Sequence, residues 1–382
     1  MIHKLAIRNY KNFVSLEIPT LKQLNLFVGD NNVGKSNLLE AVLLYCGGFN
    51  LQRIHEVLKS RHENLMCFNN NKVHFPETQE IETFIPLLPN RDQEILQRTE
   101  NNSIVIGSDK DILRLSLVHA YSQKTSLAEN TVLEIAPYGQ MRLPSFDNRR
   151  TAIAVCKIND YDTTFKPLKA KDLSSVMDMF WLEGGGFSRS NALPVRRPLP
   201  CMYLECKRMT PELLEYEWGD ISLTGFEDKV VNIMQMVMPT FKGFNVIRTR
   251  EGRSVPYIRT KDNLKMPLAA LGDGVTHILN LVIACMKIRG GILLLDETES
   301  GLHYSSQTLL WQILNKLAKD LQIQIFATTH SMDCISAFAN TTANEKGQVT
   351  RLDVNAENIV EANTYRSLED VLSALKHNVE IR

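Results

Sequence analysis

Gly29-Asp30-Asn31-Asn32-Val33-Gly34-Lys35-Ser36 is the stretch on which the fold turns. It meets the pattern G-x-x-x-x-G-K-[S/T] at every fixed position. Before it, Leu24, Leu26 and Val28 alternate with Asn25 and Phe27, the period of a strand. After it, Leu38, Leu39, Val42, Leu43 and Tyr45 suit a helix over Lys35–Cys46. Strand, glycine turn and helix together form a phosphate-binding loop. Glycines let backbone N–H groups approach an anion, and the helix aims its positive end at it. In that geometry Lys35 reaches the β- and γ-phosphates of a triphosphate, and Ser36 ligates Mg2+. The expected nucleotide contacts are Gly29, Asn31, Asn32, Val33, Gly34, Lys35, Ser36 and Asn37.

Two further strand ends carry chemistry. Gly290-Gly291-Ile292-Leu293-Leu294-Leu295-Asp296-Glu297 is a continuous apolar run ending in two carboxylates. Such a run reads as a buried parallel strand, and ligands of open α/β sheets bind at the carboxyl ends of their strands. Asp296 is then the Mg2+ partner, and Glu297 the base or positioner for attacking water. Ile325-Phe326-Ala327-Thr328-Thr329-His330-Ser331 is a second apolar strand, ending in a histidine able to bond the γ-phosphate or that water. Asp296, Glu297, Glu299, His303, His330 and Asp333 could instead form a hydrolytic metal site made of protein ligands alone. The phosphate loop accounts for the first members more economically.

Outward from these motifs, Val14, Leu16 and Ile18 mark an upstream strand. The character changes at 51–199, where strand-like runs (Ser103–Ile106, Ile112–Tyr121, Thr131–Ala136, Thr151–Lys157) lie between turn-rich pieces. Gly184-Gly185-Gly186, followed by Pro194, Pro198 and Pro200, marks a boundary or loop. The expected organisation is a composite head from 1–50 and 200–382, with 51–199 as a mixed α/β insertion or lid. Within the second half, Phe226–Met238 reads as a helix stopped by Pro239, and Val275–Ile288 and Ser305–Asp320 read as helices. Phe244–Arg250 and Val255–Thr260 form a hairpin around Glu251-Gly252-Arg253. Leu271-Gly272-Asp273-Gly274-Val275 is a glycine turn opening the Val275 helix.

Composition bounds the partners. Hydrophobic residues at 44% and charged ones at 23% are globular values. Basic and acidic residues number 43 each, so no overall field draws the chain to DNA or an acidic membrane. Any nucleic-acid contact must be local. Lys242, Arg248, Arg250, Arg253, Arg259, Lys261 and Lys265, against Glu251 and Asp262, form one such excess, which reads equally as a solvated hairpin face or an interface for another subunit. The 7 cysteines show no zinc spacing and read as reduced thiols of a cytoplasmic protein. No apolar run reaches the ~18 residues of a membrane span, so no membrane partner is expected.

Taken together, the order of phosphate loop, long insertion, glycine turn, Asp-Glu strand and His strand resembles the ABC ATPase heads of the SMC, RecF and OLD families. The likeness covers residues 1–50 and 200–382. Ile7-Arg8-Asn9-Tyr10-Lys11-Asn12-Phe13 is similar to their N-terminal strand-turn. Asp296-Glu297-Thr298-Glu299-Ser300-Gly301-Leu302-His303 and Ala327-Thr328-Thr329-His330-Ser331 resemble OLD-like bacterial ATPases most closely.

The resemblance implies an α/β P-loop NTPase of ABC type that uses ATP and Mg2+. It also implies hydrolysis in a homodimer or higher oligomer. There Gly272, Asp273 and Gly274 of one copy close over ATP held by the other, and Ser300–His303 forms a loop across the interface. Gly272 stands where transporter-type turns carry serine. OLD proteins typically add a Toprim nuclease, for which the stretch after His330 is too short. Asp109-Lys110-Asp111 and Asp160-Tyr161-Asp162 lie in the wrong segment for one. The expected effector is therefore a separately encoded nuclease or toxin, in defence or DNA maintenance. An ATP-held scaffold without turnover and a RecF-like DNA-repair clamp are the alternatives.

Overall fold

The computed structural model describes residues 1–48, 51–61, 67–69, 72–74, 87–89, 103–124, 131–137, 149–158, 176–183, 186–189, 198–204, 209–377, 379 and 381. The chain opens with a hairpin, β1 (Leu5–Tyr10) and β2 (Phe13–Ile18), whose turn is followed by β3 (Leu24–Gly29). Then come β4 (Cys67–Asn69), β5 (Lys72–His74), β6 (Ser103–Ser108), β7 (Ile112–Lys124), β8 (Thr131–Pro137), β9 (Arg149–Ile158), β10 (Val176–Glu183) and β11 (Gly186–Arg189). These join the opening hairpin in an antiparallel sheet of order β2-β1-β6-β7-β9-β10-β11-β5-β4, with β8 on β7. The link is the pairing of β1 with β6, Leu5 opposite Ser108 and Ile7 opposite Ile106. The hairpin thus belongs to the same sheet as strands from the middle of the chain. Asp160-Tyr161-Asp162, Gly184, Gly185 and Pro194 lie outside the described residues.

β3 belongs to a different sheet, with β12 (Cys201–Leu204), β16 (Ile292–Leu295), β17 (Gln324–Thr328), β18 (Gly347–Val354) and β19 (Val360–Thr364). The order is β12-β16-β17-β3-β18-β19, parallel throughout except for the edge strand β19. Its inner strands are covered on both faces, which is why they read as near-continuous apolar runs. Leu24, Leu26, Val28, Leu293, Leu295, Ile325 and Ala327 enter one core; Phe27, Ile292, Leu294 and Phe326 enter the other. The period of two thus survives inside the apolar runs. Phe27 and Phe326 stack across the strands at 6.1 Å.

Helices α1 (Lys35–Gly47) and α2 (Leu51–Ser60) cover the Phe27 face, beside the opening hairpin. The opposite face carries α3 (Pro211–Thr224), α4 (Glu227–Val237), α5 (Asp273–Lys287), α6 (Tyr304–Leu321) and α7 (Met332–Thr341), with α8 (Leu368–Lys376) at the end. α4 stops just before Pro239, as its sequence predicts. The predicted hairpin is β13 (Phe241–Arg248) with β14 (Ser254–Thr260), extended by β15 (Lys265–Pro267) into a third, small sheet.

Cys46, Cys201, Cys285 and Cys334 are buried and free, and burial pushes the Cys285 and Cys334 thiols up to about 12. The side chains of Cys67 and Cys156 and the whole of Cys206 lie outside the described residues. Among the described residues no helix is long and apolar enough to cross a membrane.

Candidate active site

β16, β17 and β3 are consecutive in the central sheet and run the same way. Their carboxyl ends therefore share one edge, where open α/β sheets gather ligands. From that edge emerge Asp296-Glu297, Thr328-Thr329-His330 and the loop Gly29–Ser36.

The loop is shaped by two glycines. Gly29 has φ 140°, and a Cβ there would lie 2.3 Å from the Leu352 carbonyl oxygen. Gly34 has φ 107°, and a Cβ would lie 2.1 Å from Asn12 Nδ2. Asn32 is also left-handed, at φ 65°. Gly34 caps α1 without a side-chain hydrogen bond, so the first-turn N–H groups are left for an incoming anion.

Asn12, from the β1–β2 turn, holds the loop in place. Its Nδ2 donates to the Val33 carbonyl at 2.6 Å, and its Oδ1 accepts from Asn37 Nδ2 at 2.8 Å. The same turn reaches α1 through Lys11, whose Nζ lies 2.5 Å from Glu40 Oε2; Arg61 Nε holds the other oxygen at 2.7 Å.

Lys35 is 5% exposed and donates to the carbonyls of Gly29 and Asp30 at 2.7 and 2.8 Å. Burial pulls its ammonium down to about 8, against the opposing pull of Asp296, Asp30, Glu299 and Glu297. Lys35 and both residues of the Asp-Glu pair therefore share one electrostatic environment.

Asp296 is gripped from the strands on either side. Tyr203 on β12 donates its hydroxyl to Oδ2 at 2.9 Å, and Thr328 on β17 donates to Oδ1 at 2.6 Å. The Thr328 hydroxyl also accepts the Glu297 N–H at 2.9 Å, and Glu297 itself is left-handed at φ 49°. The Thr328 carbonyl accepts both the N–H and the hydroxyl of Thr298, each at 3.0 Å. The His330 N–H donates to Glu299 Oε1 at 2.8 Å, while Glu299 Oε2 is buried without a hydrogen bond.

Ser36 at the start of α1 and Asp296 at the end of β16 offer the oxygen ligands that magnesium takes. Among the described residues no group of three or more His, Cys, Asp or Glu is arranged to hold a metal by itself.

Gly272, Asp273 and Gly274 lie at the N-terminus of α5, with Gly272 (φ 81°) and Asp273 exposed. Their neighbour is the loop after Glu297: a Cβ on Gly274 would lie 3.5 Å from Leu302 Cδ2. In that loop His303 is exposed, caps α6 and packs on Tyr304 at 4.2 Å. Sequence reasoning assigns no role to Asn12, Tyr203 or Thr328, and places Glu299 only in the alternative metal cluster. The one available signal was a polar residue at the end of an apolar strand, which Thr328 displays.

The family model described as an AAA ATPase domain matches residues 1–171 and 209–335. A Helicobacter pylori protein named ATP/GTP phosphatase is 26% identical over 356 residues, covering 88% of this chain and 86% of its own. The DNA replication and repair protein RecF of Rickettsia canadensis is 22% identical over 365 residues, covering 89% and 97%. Among solved structures, a Smc head bound to the C-winged helix domain of ScpA aligns with 97% of this chain and 99% of its own, at 13% identity and TM-score 0.47. The family model spans well over half of the sequence, and its match and the RecF relatives agree with the motif order: the chain belongs to the AAA ATPase domain family and is an ABC-type ATPase similar to RecF.

Proposed function

We propose that this ATPase closes as a dimer on ATP and Mg2+, and that closing and reopening gate a partner effector. One observation carries the reading: the carboxyl ends of three adjacent parallel strands bear the phosphate loop, His330 and the Asp296-Glu297 pair. Lys35 Nζ exchanges the Gly29 and Asp30 carbonyls for oxygens of the β- and γ-phosphates. Ser36 and Asp296 are the residues that would hold magnesium, which when bound neutralises developing phosphate charge. Glu297 orients the attacking water and accepts its proton. His330 bonds the γ-phosphate side of the site and reports its presence to β17 and α7.

The outward-facing Gly272–Gly274 turn, against the Ser300–His303 loop, is the surface offered to the second copy. Opening after hydrolysis then sets the cycle. The effector is a separately encoded nuclease or toxin, and the setting genome defence or DNA maintenance. The RecF relatives, named for DNA replication and repair, support the DNA side. We assign 1–50 and 200–382 to the head and 51–199 to the lid.

Glu297→Gln tests the reading. Steady-state phosphate release is expected to fall by roughly a hundredfold or more, as when a transition-state contact is lost, while an ATP-bound dimer accumulates in light scattering. Unchanged release contradicts the role of Glu297. Wild-type release no faster than that of Lys35→Ala favours a scaffold without turnover.

A DNA-clamp reading has its own observation. Lys242, Arg248, Arg250, Arg253, Arg259, Lys261 and Lys265 are all exposed around the small β13–β15 sheet. It requires salt-sensitive DNA binding that weakens when Arg248, Arg250 and Arg253 are replaced together; no DNA affinity removes it.

A further inference from the structure

We infer that Thr328 is a positioning residue that holds Asp296 and Glu297 as one rigid unit. The inference rests on the proposed roles of that pair. The geometry begins with the hydroxyl. An ionised carboxylate can only accept, so the single Thr328 proton goes to Asp296 Oδ1 at 2.6 Å. The lone pairs that remain face the Glu297 N–H at 2.9 Å. One oxygen therefore orders the side chain of the first acid and the backbone of the second.

The backbone it orders is unusual. Glu297 sits at φ 49°, a conformation that side chains bearing a Cβ rarely adopt, and one that needs surrounding bonds to persist. Thr328 supplies them on both sides of the bend. Its hydroxyl takes the Glu297 N–H, and its carbonyl takes the N–H and hydroxyl of Thr298. The chain leaving β16 is thereby pinned to the end of β17 for three consecutive residues. Thr328 itself is 1% exposed and fixed within a parallel strand between β16 and β3. Two residues later the same segment reaches His330. A shift of Thr328 would move both acids relative to the phosphate loop, although Thr328 need touch no substrate.

Thr328→Val keeps the branched shape and strand preference while deleting the hydroxyl; Thr328→Ser restores it. Turnover of Thr328→Val is expected to fall roughly ten- to a hundredfold, the scale of a catalytic group displaced by about 1 Å. The KM for ATP is expected to change little, because the loop and Lys35 are intact. Thr328→Ser should recover most of the rate, and Thr328→Val should cost less in a Glu297→Gln background than in wild type, the remaining loss passing through Asp296.

A second readout is independent of turnover: the Mg2+ concentration needed for half-maximal binding of a fluorescent ATP analogue, which should rise in Thr328→Val through Asp296. Thermal melting checks that the chain folds, and Thr328→Ala replaces the valine if it does not. A Thr328→Val rate within about twofold of wild type, or equal losses in the valine and serine variants, overturns the proposal. Wild-type turnover in Glu297→Gln would instead sink the reading of the acids as a catalytic pair. The Mg2+ titration then still decides for Thr328.

Discussion

The strand-end edge and the Gly272–Gly274 turn are two glycine-bearing regions built on opposite terms. At the edge, glycine is demanded by crowding: added carbon at Gly29 or Gly34 collides with Leu352 or Asn12. Lys35 and Asp296 there find partners within the chain, Lys35 on carbonyls and Asp296 on two hydroxyls. At the turn, Gly272 is also left-handed, at φ 81°, yet a Cβ there would meet nothing within 4 Å. Its shape is required by the turn and α5, with no internal packing to serve. The contrast separates a packed loop from an exposed turn that, in the proposed dimer, serves the second copy.

Replacing the glycines breaks or sharpens that comparison most strongly. Gly34→Ala should weaken ATP binding by roughly a hundredfold, since the loop must distort around Asn12. Gly272→Ala meets no neighbour but is strained at φ 81°, so it should cost on the order of 1–3 kcal/mol of stability and leave ATP affinity intact. Its effect belongs in turnover at concentrations where copies meet. Isothermal titration of both variants decides, and equal losses of ATP affinity would erase the distinction.

A pH effect comes next in size. The buried Lys35 ammonium sits near 8 in the nucleotide-free chain, and a triphosphate favours its charged form. Below that pH the group is already protonated and affinity should be level. Above it each binding event must take up a proton, and affinity should fall by up to about tenfold per pH unit. ATP binding measured from pH 6 to about 9.5 checks this; a level profile would place Lys35 away from the phosphates. Gly272→Ala should share the wild-type curve.

The smallest expected effect is that of Asn12→Ala, which removes bonds to Val33 and Asn37 worth about 1 kcal/mol each. A several-fold weaker ATP affinity with little change in melting is the expected result. Equal loss in turnover alone would move Asn12 from the loop's support to the chemistry.

What could be read in advance follows from where each residue finds its partners. The phosphate loop is continuous in sequence, and β16 and β17 are apolar runs because both faces are covered. β18 also neighbours β3, yet it carries Gln348, Thr350, Arg351 and Asp353, which blur any apolar run. Two of them are met from outside the strand: Gln348 donates to the Thr20 carbonyl at 2.7 Å, and the Thr350 hydroxyl lies 3.0 Å from that of Thr364, while Arg351 pairs with Asp353 at 2.7 Å.

The same separation hides the supports of the site. Tyr203 is 93 positions from Asp296, and β12, which carries it, is only 4 residues long. Asn12 lies in a turn whose sequence gives no hint that it will meet Val33. Motif residues are legible because their spacing is local. Their supports are set by sheet order, which a single chain of letters does not display.

The central claim is that Lys35, Ser36, Asp296, Glu297 and His330 surround one magnesium–triphosphate. Its most direct test is a crystal structure with a non-hydrolysable ATP analogue and Mg2+. The account expects the phosphates against the loop N–H groups and Lys35 Nζ, and the metal between Ser36 and Asp296. A nucleotide bound elsewhere, or these five side chains out of reach of it, would contradict the account.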